Sequence, residues 1–171
     1  KGLEGEDLLD KKTLALQVEL GELANEWRGF KFWSEDREPR YETVEIYVHG
    51  YDGPGQNTRA SIEEYQRWPI EEEYVDCLHF LLSIGNDLKI NNLLIDSDYT
   101  EETITGTFVE MFSYTSILRN SIKYFSREVI EETYKIVFNL FVGLGEMLGF
   151  TWQEVEQAYY KKNKINHERQ E

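Results

Sequence analysis

Glu19 and Glu22 in VELGELANEW, and Glu73 and Asp76 in EEEYVDCLHFLL, form two acidic pairs, each spaced by three residues in helix-like sequence. That spacing projects both carboxylates of a pair from one side of a helix. Both pairs are embedded among apolar residues that must pack inward. Gathering carboxylates in such surroundings is unfavourable unless a cation neutralises them. With no thiolate and little imidazole nearby, the donor set suits a hard ion, magnesium or manganese. The same spacing recurs at Glu35/Glu38, Glu42/Glu45 and Glu128/Glu131, where a solvated face is the simpler reading. On residues alone, the two favoured pairs read either as a metal site or as a structural network of perturbed acids.

A second group lies in the tail, AYYKKNKINHERQ. Lys162, Asn166 and Arg169 are spaced by four and three, so they line one helical stripe. A lysine, an amide and an arginine on one face could clamp phosphate; cations near a helix C-terminus also simply complement its dipole. Phe80, one turn beyond Asp76, reads as a base-stacking ring or as plain core. Trp33, in GFKFW, reads as a pocket wall or as surface packing. His79 makes a D-x-x-H spacing with Asp76, but a di-iron carboxylate site wants E-x-x-H on two helices. A hydrogen-bonded core histidine is the expectation there. Cys77 sits in the apolar run CLHFLLSI and reads as a packed thiol. The sequence contains no Gly-rich phosphate loop, no G-x-S-x-G and no cysteine–histidine metal spacing.

These residues need helices to position them. Periodicity predicts a first helix over about Asp7–Arg28, with Leu16, Leu20, Leu23 and Trp27 on one arc and Val18 on its other flank. Glu19 and Glu22 project between those flanks. Residues 34–66 contain two prolines and a GPG turn signal, and the alternation of Val44, Ile46 and Val48 fits a short strand or hairpin. We read this stretch as an irregular insertion, a flap or part of a subunit contact. Pro69 suits the first position of a second helix, after an extended Trp68 and ending around Lys89. A third, capped by Thr100, runs to about Tyr124; a fourth covers about Arg127–Leu148 and stops at Gly149. Thr151 and Glu154 form a capping box for a fifth. The expectation is one all-α domain over 1–171: a bundle of about five helices whose aromatic surface points to a buried subunit interface.

The bulk numbers limit the partners. The chain has 171 residues, 33 Asp+Glu against 18 Lys+Arg and a formal net charge of −15. That balance argues against DNA or RNA as a partner, because phosphate backbones would be repelled. No apolar stretch is long enough to cross a membrane, and no secretory signal is visible. One cysteine excludes an internal disulfide and fits the reducing cytoplasm.

Taken together, ALQVELGELANEWRGFKFW, EEYVDCLHFLLSIGND and the terminal KKNKINHERQ resemble the dimeric, all-α dUTP pyrophosphatases, grouped with the MazG-like nucleotide pyrophosphohydrolases and distinct from the trimeric β-type dUTPases. The resemblance implies a homodimer that hydrolyses dUTP, and usually dUDP, to dUMP with Mg2+, Mn2+ being the alternative ion. The family's E-x-x-E and E-x-x-D motifs fall on Glu19, Glu22, Glu73 and Asp76 as metal ligands. Its base-stacking phenylalanine falls on Phe80, and its K-x-x-x-N-x-x-R pattern on Lys162, Asn166 and Arg169 as the phosphate clamp. A pocket tryptophan corresponds loosely to Trp33. It further implies in-line attack by a metal-activated water on the β-phosphorus, with Glu22, helped by Glu19, as catalytic base.

Two departures stand out. The family's N-terminal helix, whose glutamine and asparagine read the uracil edge, is expected to lie ahead of where this sequence starts, and the stretch between the acid pairs is long and does not match the family core. Alternatives are a relative acting on dCTP or another nucleotide, a non-catalytic helical protein that binds nucleotide or cation, and, less well matched, iron storage.

Overall fold

The structure, a computed structural model, describes residues 7–49, 60–95 and 99–168, with the side chains of 45–49, 60–66 and 164–168 outside the described set. Five helices run in chain order: α1 (Leu9–Trp27), α2 (Pro69–Asp87), α3 (Ile104–Tyr124), α4 (Arg127–Met147) and α5 (Trp152–Glu168). Between α1 and α2 lies an antiparallel pair of strands, β1 (Glu42–His49) and β2 (Ala60–Arg67). The all-α expectation holds, and the insertion is more regular than expected: Val44, Ile46 and Val48 do alternate along a strand.

Most helix ends follow local chemistry. Trp68 is extended and Pro69 opens α2, because proline needs no helical N–H partner in the first turn. Arg28 closes α1 in the left-handed region, its N–H donating to the Ala24 carbonyl at 3.1 Å. Gly149, at φ 90°, closes α4 where a side chain would be strained. The Thr151–Glu154 capping box forms as expected: the Thr151 N–H donates to Glu154 Oε2 at 2.8 Å, and the Glu154 N–H to Thr151 Oγ1 at 3.3 Å. One start differs. Thr103, not Thr100, caps α3, its Oγ1 accepting from the Gly106 N–H at 3.0 Å. Both threonines precede the helix, but only Thr103 stands three residues before a free first-turn N–H.

Helices α1 to α4 form a four-sided bundle in which each adjacent pair runs antiparallel. Between α1 and α2, Lys12 Nζ meets Asp87 Oδ2 at 2.5 Å. Between α1 and α3, Arg119 grips Asp10 at 2.9 and 3.1 Å, and Gln17 donates to Ser116 at 3.0 Å. Between α3 and α4, Ser121 and Thr133 share a buried hydrogen bond of 3.3 Å. The fourth side is locked reciprocally. Tyr74 of α2 donates to the Phe141 carbonyl and lies against Gly145 of α4; Tyr134 of α4 donates to the Leu81 carbonyl and lies against Gly85 of α2, both bonds 2.9 Å. A Cβ at Gly145 or Gly85 would stand 2.3 or 2.2 Å from the opposing hydroxyl, so each tyrosine needs its glycine. Around these contacts Leu16, Leu20, Leu23, Leu81, Ile84, Met111, Leu118 and Phe141 fill a core sealed from solvent.

Val18 is a correction. It is exposed, as is Leu14, so the buried arc of α1 is narrower than expected and belongs to Leu16, Leu20 and Leu23. At 100° per residue Val18 falls opposite those leucines. Cys77 is fully buried, as expected, and burial pushes its thiol well above the usual range.

Candidate metal and nucleotide site

Antiparallel packing of α1 on α2 sets the C-terminal half of one beside the N-terminal half of the other. Glu19 and Glu22 therefore face Glu73. One carboxylate oxygen from each of the three lies within 4.8 Å of the other two. Glu19 and Glu73 are half-buried, while Glu22 is exposed, so the nest opens to the outside along its α1 edge. Contrary to expectation, the acids do not sit inside the apolar arc of α1; they border it.

The electrostatics of this nest are unfavourable for three free carboxylates. Burial first, then the charges of Asp76, Glu22 and Glu19, push the Glu73 carboxyl up to about 7. Glu19 is raised for the same reasons, burial leading and Asp76 and Glu22 following. The cation whose field opposes this on both acids is Lys162. A nest in which burial and mutual repulsion make ionisation of Glu19 and Glu73 harder fits a divalent ion with oxygen preference. Glu19, Glu22 and Glu73 are the residues able to hold one.

Asp76 takes a different position from the one its spacing predicts. It stands outside the trio and forms an ion pair with Lys162 Nζ, on α5, although its charge still acts on Glu19 and Glu73. The same ammonium also approaches the Glu72 carbonyl at 3.5 Å. Eighty-six residues separate Lys162 from Asp76, and no local pattern announces the pair. Next along this seam, the His79 ring stacks on Tyr159 with centroids 4.3 Å apart. His79 Nε2 is buried without a hydrogen-bond partner, which corrects the expected hydrogen-bonded histidine: stacking holds the ring instead. Burial lowers its pKa despite the nearby Asp76.

The remaining predicted residues divide. Phe80 is half-buried, lies one turn past Asp76 on the same face of α2 and packs against the core. Trp33 is 66% exposed and sits edge-on to Phe30 and Phe32, in the turn after α1. Asn166 lies within α5, but its side chain is outside the described residues, as is Arg169 altogether.

Sequence reasoning passed over the base of the hairpin. Arg67, the last residue of β2, holds Glu72 with two bonds of 2.8 and 2.7 Å and Glu42 at 3.2 Å. Tyr41 stacks on Trp68, with centroids 5.3 Å apart. Both ties anchor the hairpin at the N-terminal end of α2, and the Arg67 tie ends on Glu72, one residue from Glu73. The opposite charges at Glu42, Arg67 and Glu72 were the available signal.

A helical bundle that sets carboxylates of neighbouring helices face to face, with a lysine beside them, offers a donor set suited to a divalent cation. The family model described as dUTPase matches residues 1–50 and 61–171. The chain belongs to this family, the all-α dUTPases, and is a dUTP diphosphatase. No curated protein and no solved structure gives a significant match.

Proposed function

We propose that this enzyme converts dUTP to dUMP and pyrophosphate, and dUDP to dUMP and phosphate, with Mg2+ at Glu19, Glu22, Glu73 and Asp76. Mn2+ would serve in its place. The observation that carries this reading is the convergence of Glu19, Glu22 and Glu73 within 4.8 Å in a member of the dUTPase family. A bound divalent ion would supply charge neutralisation and Lewis acidity toward the phosphate oxygens and the attacking water. The chain's own residues do the rest. Glu22, on the open edge, accepts the proton of the attacking water, with Glu19 beside it. Lys162, Asn166 and Arg169 hold the terminal phosphates, where their charge complements the transition state. Phe80 stacks the pyrimidine, and Trp33 closes over the pocket.

The chain acts as one unit over 1–171 and pairs with a second copy of itself. Leu14 and Val18 on α1, with Val109 and Ile117 on α3, are exposed apolar side chains that support a covered face. Among the described residues no helix is long and apolar enough to cross a membrane. The single cysteine suits the cytoplasm, and the charge of −15 disfavours DNA and RNA as partners.

The test is product release from dUTP against dCTP, dTTP and the other deoxynucleotides, with Mg2+ varied. Glu19→Gln and Asp76→Asn are expected to lower kcat by about a thousandfold or more while the far-UV dichroism stays native. Retained Mg2+-dependent turnover in both variants would overturn the site. Preference for dCTP would overturn the substrate and leave the site standing.

A further inference from the structure

The acid nest has a cation of the chain's own beside it. Lys162 reaches across from α5 to pair with Asp76 and approaches the Glu72 carbonyl at 3.5 Å. The pair is partly sheltered, with the two side chains 27% and 25% exposed. It is also supported by its neighbour one turn earlier, where Tyr159 stacks on His79. We infer that Lys162 is a tethered counter-ion that competes with the divalent cation for Asp76, and that metal loading is what frees it to reach the substrate's phosphates. This inference rests on the metal centre proposed above.

An ammonium paired with Asp76 holds one of its two carboxylate oxygens and offsets its charge, so it opposes a divalent ion at that acid. Lys162 therefore takes the role of a positioning residue through Asp76 before it meets substrate. While its charge is committed to Asp76 it offers less to phosphate, and phosphate bound without metal would have to draw it away from an otherwise uncompensated acid. A divalent ion removes that conflict, because its charge replaces that of the lysine. By linkage, a ligand that draws Lys162 off Asp76 must tighten metal binding, and the reverse holds equally. The ion pair would make metal and polyphosphate bind cooperatively, and would disfavour nucleotide lacking its metal.

The test reads metal affinity in the absence of nucleotide, by Mn2+ titration followed by electron paramagnetic resonance. Lys162→Met is expected to bind Mn2+ roughly five- to tenfold more tightly than the parent protein, the scale of a modest coupling between sites. Lys162→Arg keeps the cation and should stay within about twofold. Lys161→Met removes the same charge one residue away and measures the general field. Lys162→Met made in an Asp76→Asn background should give no gain, since the competitor's partner is gone. An unchanged or weaker affinity in Lys162→Met, or an equal gain in Lys161→Met, would overturn the tethered counter-ion while leaving the metal centre intact. If the parent protein binds no Mn2+, the metal centre itself falls.

Discussion

Glu73 is where the cost of the site is concentrated. Its carboxyl is raised to about 7 by burial and by three acidic neighbours, against an unfolded value near 4.5. An acid whose folded pKa is raised gives stability that is complete below the unfolded value and lost as pH climbs through the folded one. The metal-free enzyme should therefore melt at a higher temperature at pH 5 than at pH 8, the change falling between about 4.5 and 7. Because the group is only half-buried, solvent screening cuts the effect to about 1 kcal/mol, a shift of about 2–4 °C for a chain of this size. Saturating Mg2+ should flatten the profile, and Glu73→Gln should remove it while abolishing metal affinity. Scanning calorimetry across that range checks both. A metal-free profile that rises with pH would contradict the arrangement. At this scale the sequence was informative about three acids, whose apolar setting marked them out. It said nothing of Asp76's partner, because a contact spanning eighty-six residues is made by the packing of α5 and not by local periodicity.

Among elements, the α2–α4 pair carries the clearest mechanical statement. Two tyrosines cross the interface in opposite senses, each with its hydroxyl on a carbonyl and its ring over a glycine. Tyr134→Phe should lose one buried hydrogen bond and about 1 kcal/mol. Gly85→Ala should cost more, about 1–3 kcal/mol, since its Cβ meets the Tyr134 ring and hydroxyl head-on. Urea unfolding with an unchanged m-value would report both, and the reverse order would show that the interface yields. The helices themselves were legible from apolar period, Pro69, Gly149 and the Thr151 box. Their lateral order was not, since nothing in an amphipathic stripe names the helix it meets. The exposure of Val18 has the same origin: a helix's second apolar flank is buried only when a partner covers it.

At the level of the whole molecule, the bundle and the hairpin are different kinds of object. The bundle has a sealed core, whereas the described ties between hairpin and bundle are at its base, through Arg67 to Glu72 and Tyr41 to Trp68. Thr43 and Gln66 stand opposite each other in the register. Replacing residues 44–65 with a Gly-Gly turn should therefore leave the thermal midpoint within about 4 °C, roughly the equivalent of 1 kcal/mol, as followed by dichroism at 222 nm. A collapse of the bundle would mean that the arm holds it together. The sequence suggested a hairpin from alternation alone, but not its length or its mooring, because opposed charges on separate segments become a pair only after the chain has turned.

The family match lapses between residues 50 and 61, in the connection between the strands. A ladder rooted at one rung can gain or shed its outer rungs without disturbing the hydrolytic machinery beneath. Insertions or deletions at the outer end of the arm should therefore leave the acid-bearing helices in place.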